Sequence, residues 1–341
     1  MPSDKPLPTL HDVARAAGVS TATVSRCLNT PDKVVERTRK KVLAAVETLG
    51  YSPNFGARIM AAKRTRTMGA IIPTMDNAIF ARGLQAFQET LLQAGYSLVV
   101  ASSLYDPAQE AAQVRTLVAR GAEGLLLIGQ DRDAAIHQFL ATQNVPAIAA
   151  WCADADAPLP SVGFDNRLAM KALAHRVIQL GHARIAMISA PVAGNDRARM
   201  RVHGVREAMA DAGLGPDSLT VVEAAYEIQA GAEAFDQLMQ RRPRPTVVIC
   251  GNDVQAVGAT TMARQMRLSV PRDVSVTGFD DMDLAHVSVP PLTTVQVPHH
   301  RMGRDAAQLL VQMVEGGTPG RTIPLDAPLK ERASLGAVPR R

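Results

Sequence analysis

The chain has 341 residues, of which 47% are apolar and 20% charged, and a net charge of +5. That length is too great for one ordinary domain and fits a small domain joined to a large one, and the composition excludes wholesale disorder. No apolar run approaches the roughly 18 residues of a transmembrane helix, and the opening MPSDKPLPTL lacks a hydrophobic signal stretch, so the chain is expected to remain in the cytoplasm.

The charge is uneven along the chain. Residues 1–67 hold 12 Lys/Arg against 5 Asp/Glu, whereas the remainder is close to neutral. A basic small domain on a near-neutral large one points to a polyanionic partner at one end. Cys27, Cys152 and Cys250 are far apart and odd in number, a pattern of reduced, buried thiols rather than of a disulfide framework or a zinc site.

In TLHDVARAAGVSTATVSRCLN, a helical apolar pattern through Leu10, Val13, Ala14 and Ala17 stops at Gly18. A second begins after Ser20 and runs through Val24 and Leu28. Two short helices joined by a glycine-containing turn form a helix-turn-helix, whose second helix enters the DNA major groove. A third helix is expected from Glu36 to Leu49, with Gly50 as its left-handed cap. Pro53 then biases Ser52 away from helix, and Asn54 can cap a short helix through Ala62 ahead of the basic linker KRTRT.

From Met68 the pattern alternates. Strands are expected at Ala70–Pro73, Ser97–Ala101, Gly124–Ile128 and Ala147–Ala150, with helices at Phe80–Ala94, Pro107–Arg120 and Arg132–Thr142. A second series begins near Val162, with strands at Arg184–Ile188, Thr220–Glu223, Thr246–Cys250 and Val274–Gly278. Its helices are Leu168–Leu180, Ala198–Ala212, Ala230–Gln240 and Val254–Arg267. A last helix, Met302–Glu315, precedes a short strand-like tail at Thr322–Leu325. Near-continuous apolar strands alternating with helices mean parallel sheets covered on both faces. The fold class is therefore α+β multidomain: an all-α helix-turn-helix domain with a hinge helix, then an α/β body of two doubly wound parallel-sheet subdomains. The boundaries expected are 1–53 for the first domain, 54–67 for hinge and linker, and 68–341 for the body. One lobe takes 68–162 and 296–322, the other 163–295 and 323–341.

No catalytic constellation appears. The chain has no GxSxG, HExxH or GxxxxGK motif, and its histidines lack metal-ligand spacing, so neither an enzyme nor a cofactor or metal is expected.

The chain resembles the lactose and purine repressor (LacI) family of bacterial transcription factors. The resemblance rests on TLHDVARAAGVSTATVSRCLN, TRKKVLAAVETLGYSPN, RPTVVICGNDVQAVGA, VPRDVSVTGFDD and PPLTTVQVP, in that order. It implies a periplasmic-binding-protein-like body and a homodimer on a pseudo-palindromic operator in double-stranded DNA. A small effector between the lobes, a sugar, sugar acid or sugar phosphate, would change operator affinity. No leucine heptads follow the terminal VPRR, so a dimer is expected rather than a tetramer. The competing reading, a solute-binding receptor for a sugar, is disfavoured by the basic N-terminal domain and the absent signal stretch.

The resemblance also assigns residues. Ser20 caps the groove helix, Thr21 and Ala22 stand where operator preference varies, and Arg26 reads a base edge, as an arginine can do bidentately on guanine. Thr9, Ser25 and Asn29 are expected on phosphates, positioning without specifying. Asn54 opens the hinge helix, and Met60 occupies its minor-groove wedge position, a role open to an unbranched apolar side chain. Gly56 lowers that helix's propensity by about 1 kcal/mol relative to Ala. At the effector end the positions are Phe80, Trp151, Arg201, Tyr226, Asn252 and Asp280. Arg197 joins them from the cluster NDRARMR. If more than one arginine of that cluster faces the cleft, an anionic ligand is expected; a bridging Arg201–Asp280 pair is the structural alternative. Asn195 and Arg197 stand in place of a purine-binding arginine and threonine, which disfavours a purine. Asp253 and Asp281 are expected as helix caps, and His299 as a buried structural residue.

Overall fold

The computed structural model describes residues 8–52, 64–76, 78–215, 218–317 and 319–339, with the Asn29 side chain outside that set. Asn54, Met60 and the expected hinge helix lie outside the described residues. The chain separates into two compact units, Met1–Thr65 and Arg66–Arg341.

The first unit contains α1 (Leu10–Ala17), α2 (Thr21–Asn29) and α3 (Glu36–Leu49). Gly18 ends α1 at φ 65°, a left-handed conformation that spares glycine the Cβ penalty and reverses the chain into α2. Val13, Ala14, Val24, Cys27, Val42, Ala45 and Tyr51 form its core. A short 3₁₀ turn, Pro31–Lys33, sits between α2 and α3, unforeseen because proline and aspartate there read as loop.

The body is built as two lobes. The first holds β1 (Thr67–Ile72), β2 (Ser97–Ser102), β3 (Gly124–Ile128), β4 (Ala147–Ala150) and β5 (Ser161–Gly163). Its helices are α4 (Ala81–Gln93), α5 (Pro107–Ala119) and α6 (Ala134–Thr142). The second lobe contains α7 (Asn166–Gln179), β6 (Ile185–Ser189), α8 (Asp196–Asp211), β7 (Leu219–Glu223) and α9 (Ile228–Met239). It continues with β8 (Val247–Cys250), α10 (Asp253–Gln265), β9 (Ser275–Thr277) and the short α11 (Asp283–Val287). The chain crosses back through β10 (Thr294–Val295) and α12 (His299–Gly316), and closes with β11 (Ile323–Pro324) and β12 (Leu329–Lys330).

All pairs in the two large sheets are parallel. The first sheet runs β11-β5-β4-β3-β1-β2 and the second β7-β6-β8-β9. Two boundaries differ from expectation. The second series was expected to begin near Val162, but β5 still pairs with β4, so the first lobe extends through Gly163. Residues 323–324 were assigned to the second lobe, yet β11 lies beside β5 on the edge of the first sheet. Such two- and three-residue pairings carry too little periodicity to be assigned from sequence. β10 and β12, likewise unforeseen, pair antiparallel.

Strands β1, β3 and β4 are almost wholly buried, and the three cysteines are buried and free. Among the described residues no helix is long and apolar enough to cross a membrane.

Helices α4 and α12 approach so closely that a Cβ on Gly303 would overlap the Gly83 carbonyl. Both obstacles are backbone, so a Gly303→Ala variant can relieve the overlap only by parting the helices. Such overpacking costs typically about 1–3 kcal/mol. A urea midpoint lowered with an unchanged slope is the expected result.

Candidate functional sites

In the first unit, the cap of α1 is a reciprocal box. The Thr9 hydroxyl accepts from Asp12 N at 3.3 Å and donates to Asp12 Oδ2 at 2.6 Å, while Thr9 N donates to the same oxygen at 2.9 Å. These bonds hold an aspartate where the helix dipole favours negative charge. The Thr9 hydroxyl, expected on a phosphate, takes part in this cap. Ser20 caps α2 by accepting from Thr23 N at 3.2 Å. Val24 and Cys27 are buried and Leu28 packs on them, which rotates the opposite face outward. That face carries Thr21, Ala22, Ser25 and Arg26, related by three- and four-residue steps. Ala22 and Arg26 are exposed, Thr21 and Ser25 half-buried.

In the body, the carboxyl ends of the strands of the two lobes face each other, where doubly wound folds bind ligands. Trp151 follows β4 with φ 61°. Phe80 meets its ring edge-on at 5.1 Å. The Trp151 carbonyl accepts from Asn166 Nδ2 at 2.9 Å, and Asn166 Oδ1 accepts from Arg201 Nε at 2.8 Å. Arg201 Nη1 donates to the Gly251 carbonyl at 2.6 Å, and its guanidinium lies 3.8 Å from the Phe279 ring centre. Arg201 Nη2 stands 3.7 Å from Asp280 Oδ1. The bridging Arg201–Asp280 alternative is thus the arrangement present.

Several polar atoms in this buried region lack a hydrogen-bond partner among the described residues. They include Asp280 Oδ1, Asn252 Nδ2, Trp151 Nε1, His299 Nδ1 and the Tyr105 hydroxyl. Buried polar groups are ordinarily hydrogen-bonded, and these atoms are exceptions. Asp280 also holds φ at 106°, a conformation disfavoured for a side-chain-bearing residue. Burial pushes the Asp280 carboxyl up to about 6, with Arg201 opposing the shift. His299 is pushed down to about 4 by burial, so it is neutral near pH 7. Its Nε2–H donates to the Asp280 carbonyl at 3.2 Å, which leaves Nδ1 as an acceptor.

A cavity of about 650 Å³ opens beside this cluster, lined among others by Thr74, Arg82, Tyr105, Tyr226, Asp283 and His299. Of the seven expected effector residues only Tyr226 lines it directly. Phe80, Trp151, Arg201, Asn252 and Asp280 form a buried group adjoining it through His299, whose ring lies 6.2 Å from Trp151. Tyr105, not singled out in the sequence, faces Tyr226 at 5.9 Å between ring centres. Its position was legible: it ends the β2 loop, directly before the Asp106–Pro107 start of α5.

Arg197 stands near enough to Tyr105 and Tyr226 to interact electrostatically with both. It lines a separate cavity of about 420 Å³ with Asp131, Cys152 and Asp165, and its Nη1 is held by Asp196 Oδ1 at 2.8 Å. Arg199 pairs with Asp131 at 2.9 Å. Each arginine of NDRARMR therefore stands beside an aspartate of its own. Asn252, not Asp253, caps α10, accepting from Gln255 N at 2.9 Å. Asp253 instead accepts from Met282 N and the Thr294 hydroxyl, both at 2.7 Å. Asp281 binds Arg332 at 2.6 Å and caps nothing. The aspartates follow strands in both segments, and the crossover residues they meet were not paired from sequence.

Comparison with known proteins places these features together. Residues 9–54 match the model for bacterial regulatory proteins of the lacI family, and residues 65–333 that for periplasmic binding proteins and the sugar-binding domain of the LacI family. The HTH-type transcriptional repressor CytR of Escherichia coli (strain K12) is 33% identical over 97% of each chain. The ribose operon repressor of the same organism is 33% identical over 90% of this chain and 93% of its own. The lac repressor dimer bound to operator and the anti-inducer ONPF superposes with a TM-score of 0.85 at 27% identity, over 98% of this chain and 100% of that one.

Burial first, and then Asp280, pushes the Asp253 carboxyl up to about 8. The folded state therefore holds this proton more tightly than the unfolded chain. Its contribution to stability is complete below about pH 4 and is lost as pH rises through 8. Asp253→Asn keeps an acceptor for Met282 N, so the variant is expected to lose less urea resistance than the wild type between pH 5 and 8. Parallel curves for the two proteins would remove Asp253 from the account.

Proposed function

The chain belongs to the lacI family of bacterial regulatory proteins, and on that premise we propose that it is a cytoplasmic, dimeric repressor whose operator affinity is set by a neutral, polyhydroxylated effector. The DNA-binding half of this reading is supported by α2. Its outward face presents Thr21, Ala22, Ser25 and Arg26, a short set of hydrogen-bonding and small side chains on a helix that fits the major groove. Arg26 is the candidate base reader, and Thr21 and Ala22 set preference around it. Ser25 and the N-terminal end of α2 at Ser20 are candidates for phosphate. Asn29, Asn54 and Met60 complete the proposed interface.

The observation that carries the effector half is the set of unsatisfied atoms in the buried cluster. Asn252 Nδ2 and Trp151 Nε1 are donors, Asp280 Oδ1 and His299 Nδ1 are acceptors, and the Tyr105 hydroxyl is both. A ligand that matches such alternation carries several hydroxyl groups, each donating and accepting. Aromatic faces at Tyr105 and Tyr226 suit the apolar face of a sugar ring. The charged groups argue for neutrality. Arg82 is paired with Asp283, and Asp76 and Glu227 also line the cavity, so a carboxylate or phosphate would enter against like charge. The 650 Å³ cavity lies within the range of about 300–1,000 Å³ typical of small-molecule sites. The named relatives include a ribose operon repressor, in keeping with a carbohydrate. The proposed function is binding, not a reaction.

Two measurements test the two halves. In gel shifts on the DNA upstream of regulated genes, Arg26→Ala should cost about 1–3 kcal/mol on the preferred operator. Binding to unrelated DNA and the salt dependence should change little; a uniform loss across sequences would make Arg26 a phosphate contact. Neutral sugars, sugar acids and sugar phosphates screened by thermal shift should yield a neutral sugar. Trp151 is the chain's single tryptophan, so that ligand should also change the intrinsic fluorescence. Binding should weaken below about pH 6, as Asp280 takes up its proton, loses its charge and turns one oxygen from acceptor to donor, and Asp280→Asn should flatten that dependence. Stabilisation by acidic ligands alone would overturn the reading.

A further inference from the structure

A second cavity, of about 550 Å³, lies where the chain crosses between the lobes, and its wall is mainly cationic. Arg82, Arg301, Lys330 and Arg332 line it against two carboxylates, Asp281 and Asp326. Asp281 is already engaged: it accepts from Arg332 Nη2 at 2.6 Å and from Gln296 Nε2 at 2.9 Å. Arg82 is taken by Asp283, and Arg301 by Asp305 at 3.4 Å. Lys330 differs from these. β12 holds it in register with Thr294 of the crossover, yet among the described residues its ammonium has neither an ion pair nor a hydrogen bond. The same cavity meets the start of α12, which is charged against its own dipole. Its first turn carries His299, His300 and Arg301 but no acidic residue, and no side chain caps it. A helix concentrates partial positive charge at this end, where an anion is favoured and a cation is not. The His300 and Arg301 amides donate to nothing among the described residues. His299, 6% exposed, walls both this cavity and the larger one, and its Nδ1 lacks a partner among the described residues.

We propose that this cavity is a second ligand site, separate from the effector cavity, and that it takes a phosphate group, free or carried on a small molecule. Lys330 supplies the unpaired charge. The His300 and Arg301 amides donate to phosphate oxygens, as amides at the start of a helix do elsewhere. The Arg301 side chain, 61% exposed and in a loose pair with Asp305, is free to swing onto a further oxygen. Hydrogen phosphate also brings a proton, which His299 Nδ1 accepts whenever the effector cavity is empty. A carboxylate has no such proton and fewer oxygens, so phosphate suits this donor set better. The volume falls in the range of about 300–1,000 Å³ typical of small-molecule sites, which favours a small molecule over a protein surface. The site stands on its own cations and does not depend on the effector's being neutral.

Thermal shift of the effector-free full chain, titrated with sodium phosphate at constant ionic strength, tests the site. The wild type should show a saturable rise in melting temperature. Lys330→Gln should raise the half-saturating concentration about tenfold, the loss expected for one charged hydrogen bond, and Lys330→Arg should restore it. Arg120→Gln removes an exposed cation elsewhere in the body and should behave as the wild type. A parallel titration with glycerol 1-phosphate separates the sources: tighter binding than inorganic phosphate identifies a carried phosphate, and equal or weaker binding the free ion. Absence of a saturable rise would overturn the site. So would the same rise in Lys330→Gln, which would place the phosphate on the basic N-terminal unit. A response to an acidic or phosphorylated peptide alone would overturn the small-molecule occupant. A sugar phosphate whose effect persists in Lys330→Gln acts at the effector cavity, so the two readings fail separately.

Discussion

The body depends on the placement of one buried cation. The charge of Arg201 is expensive to bury alone, and its surroundings are arranged to hold it. Asn166 takes its Nε, the Gly251 carbonyl takes Nη1, and Phe279 lies under its plane. Each partner belongs to a different segment: the start of α7, the end of β8 and the end of β9. Through Asn166 the same network reaches the Trp151 carbonyl in the first lobe. Asp280 is close enough to balance the charge yet keeps one oxygen unbonded. The guanidinium thus organises the region and leaves one acceptor over.

Much of this was legible in the sequence. The helix-turn-helix could be read residue by residue because its apolar positions, caps and glycine turn are local features, and α3 falls at Glu36–Leu49 as expected. The long strands were found because buried parallel strands are continuous apolar runs. Trp151 and Asp280, named because they directly follow strands, are brought to one buried region around Arg201.

What sequence could not supply was partnership. Asp253 and Asp281 look like helix caps because each lies next to a helix start, but their partners, Thr294 and Arg332, lie 41 and 51 residues away. The clustered arginines looked like one cationic site. Helical spacing turns Arg199 away from Arg197 and Arg201, which stand four residues apart on one face, and each of the three lies beside a different aspartate. The short strands β5 and β11 carry no periodic signal and acquire meaning only when the lobes are assembled.

The separation between the buried cluster and the cavity wall has an evolutionary consequence. Arg201 and Asn166 support the body through their mutual hydrogen bonds, so most changes there threaten folding itself. Tyr105, Tyr226 and Ile228 line the cavity, but Arg201 makes none of its hydrogen bonds to them. Substitution at these wall positions reshapes what the cavity admits while the supporting network stays whole. Ligand preference can therefore drift between descendants of this chain without crossing an unfolded intermediate, and one body can be retuned to successive ligands.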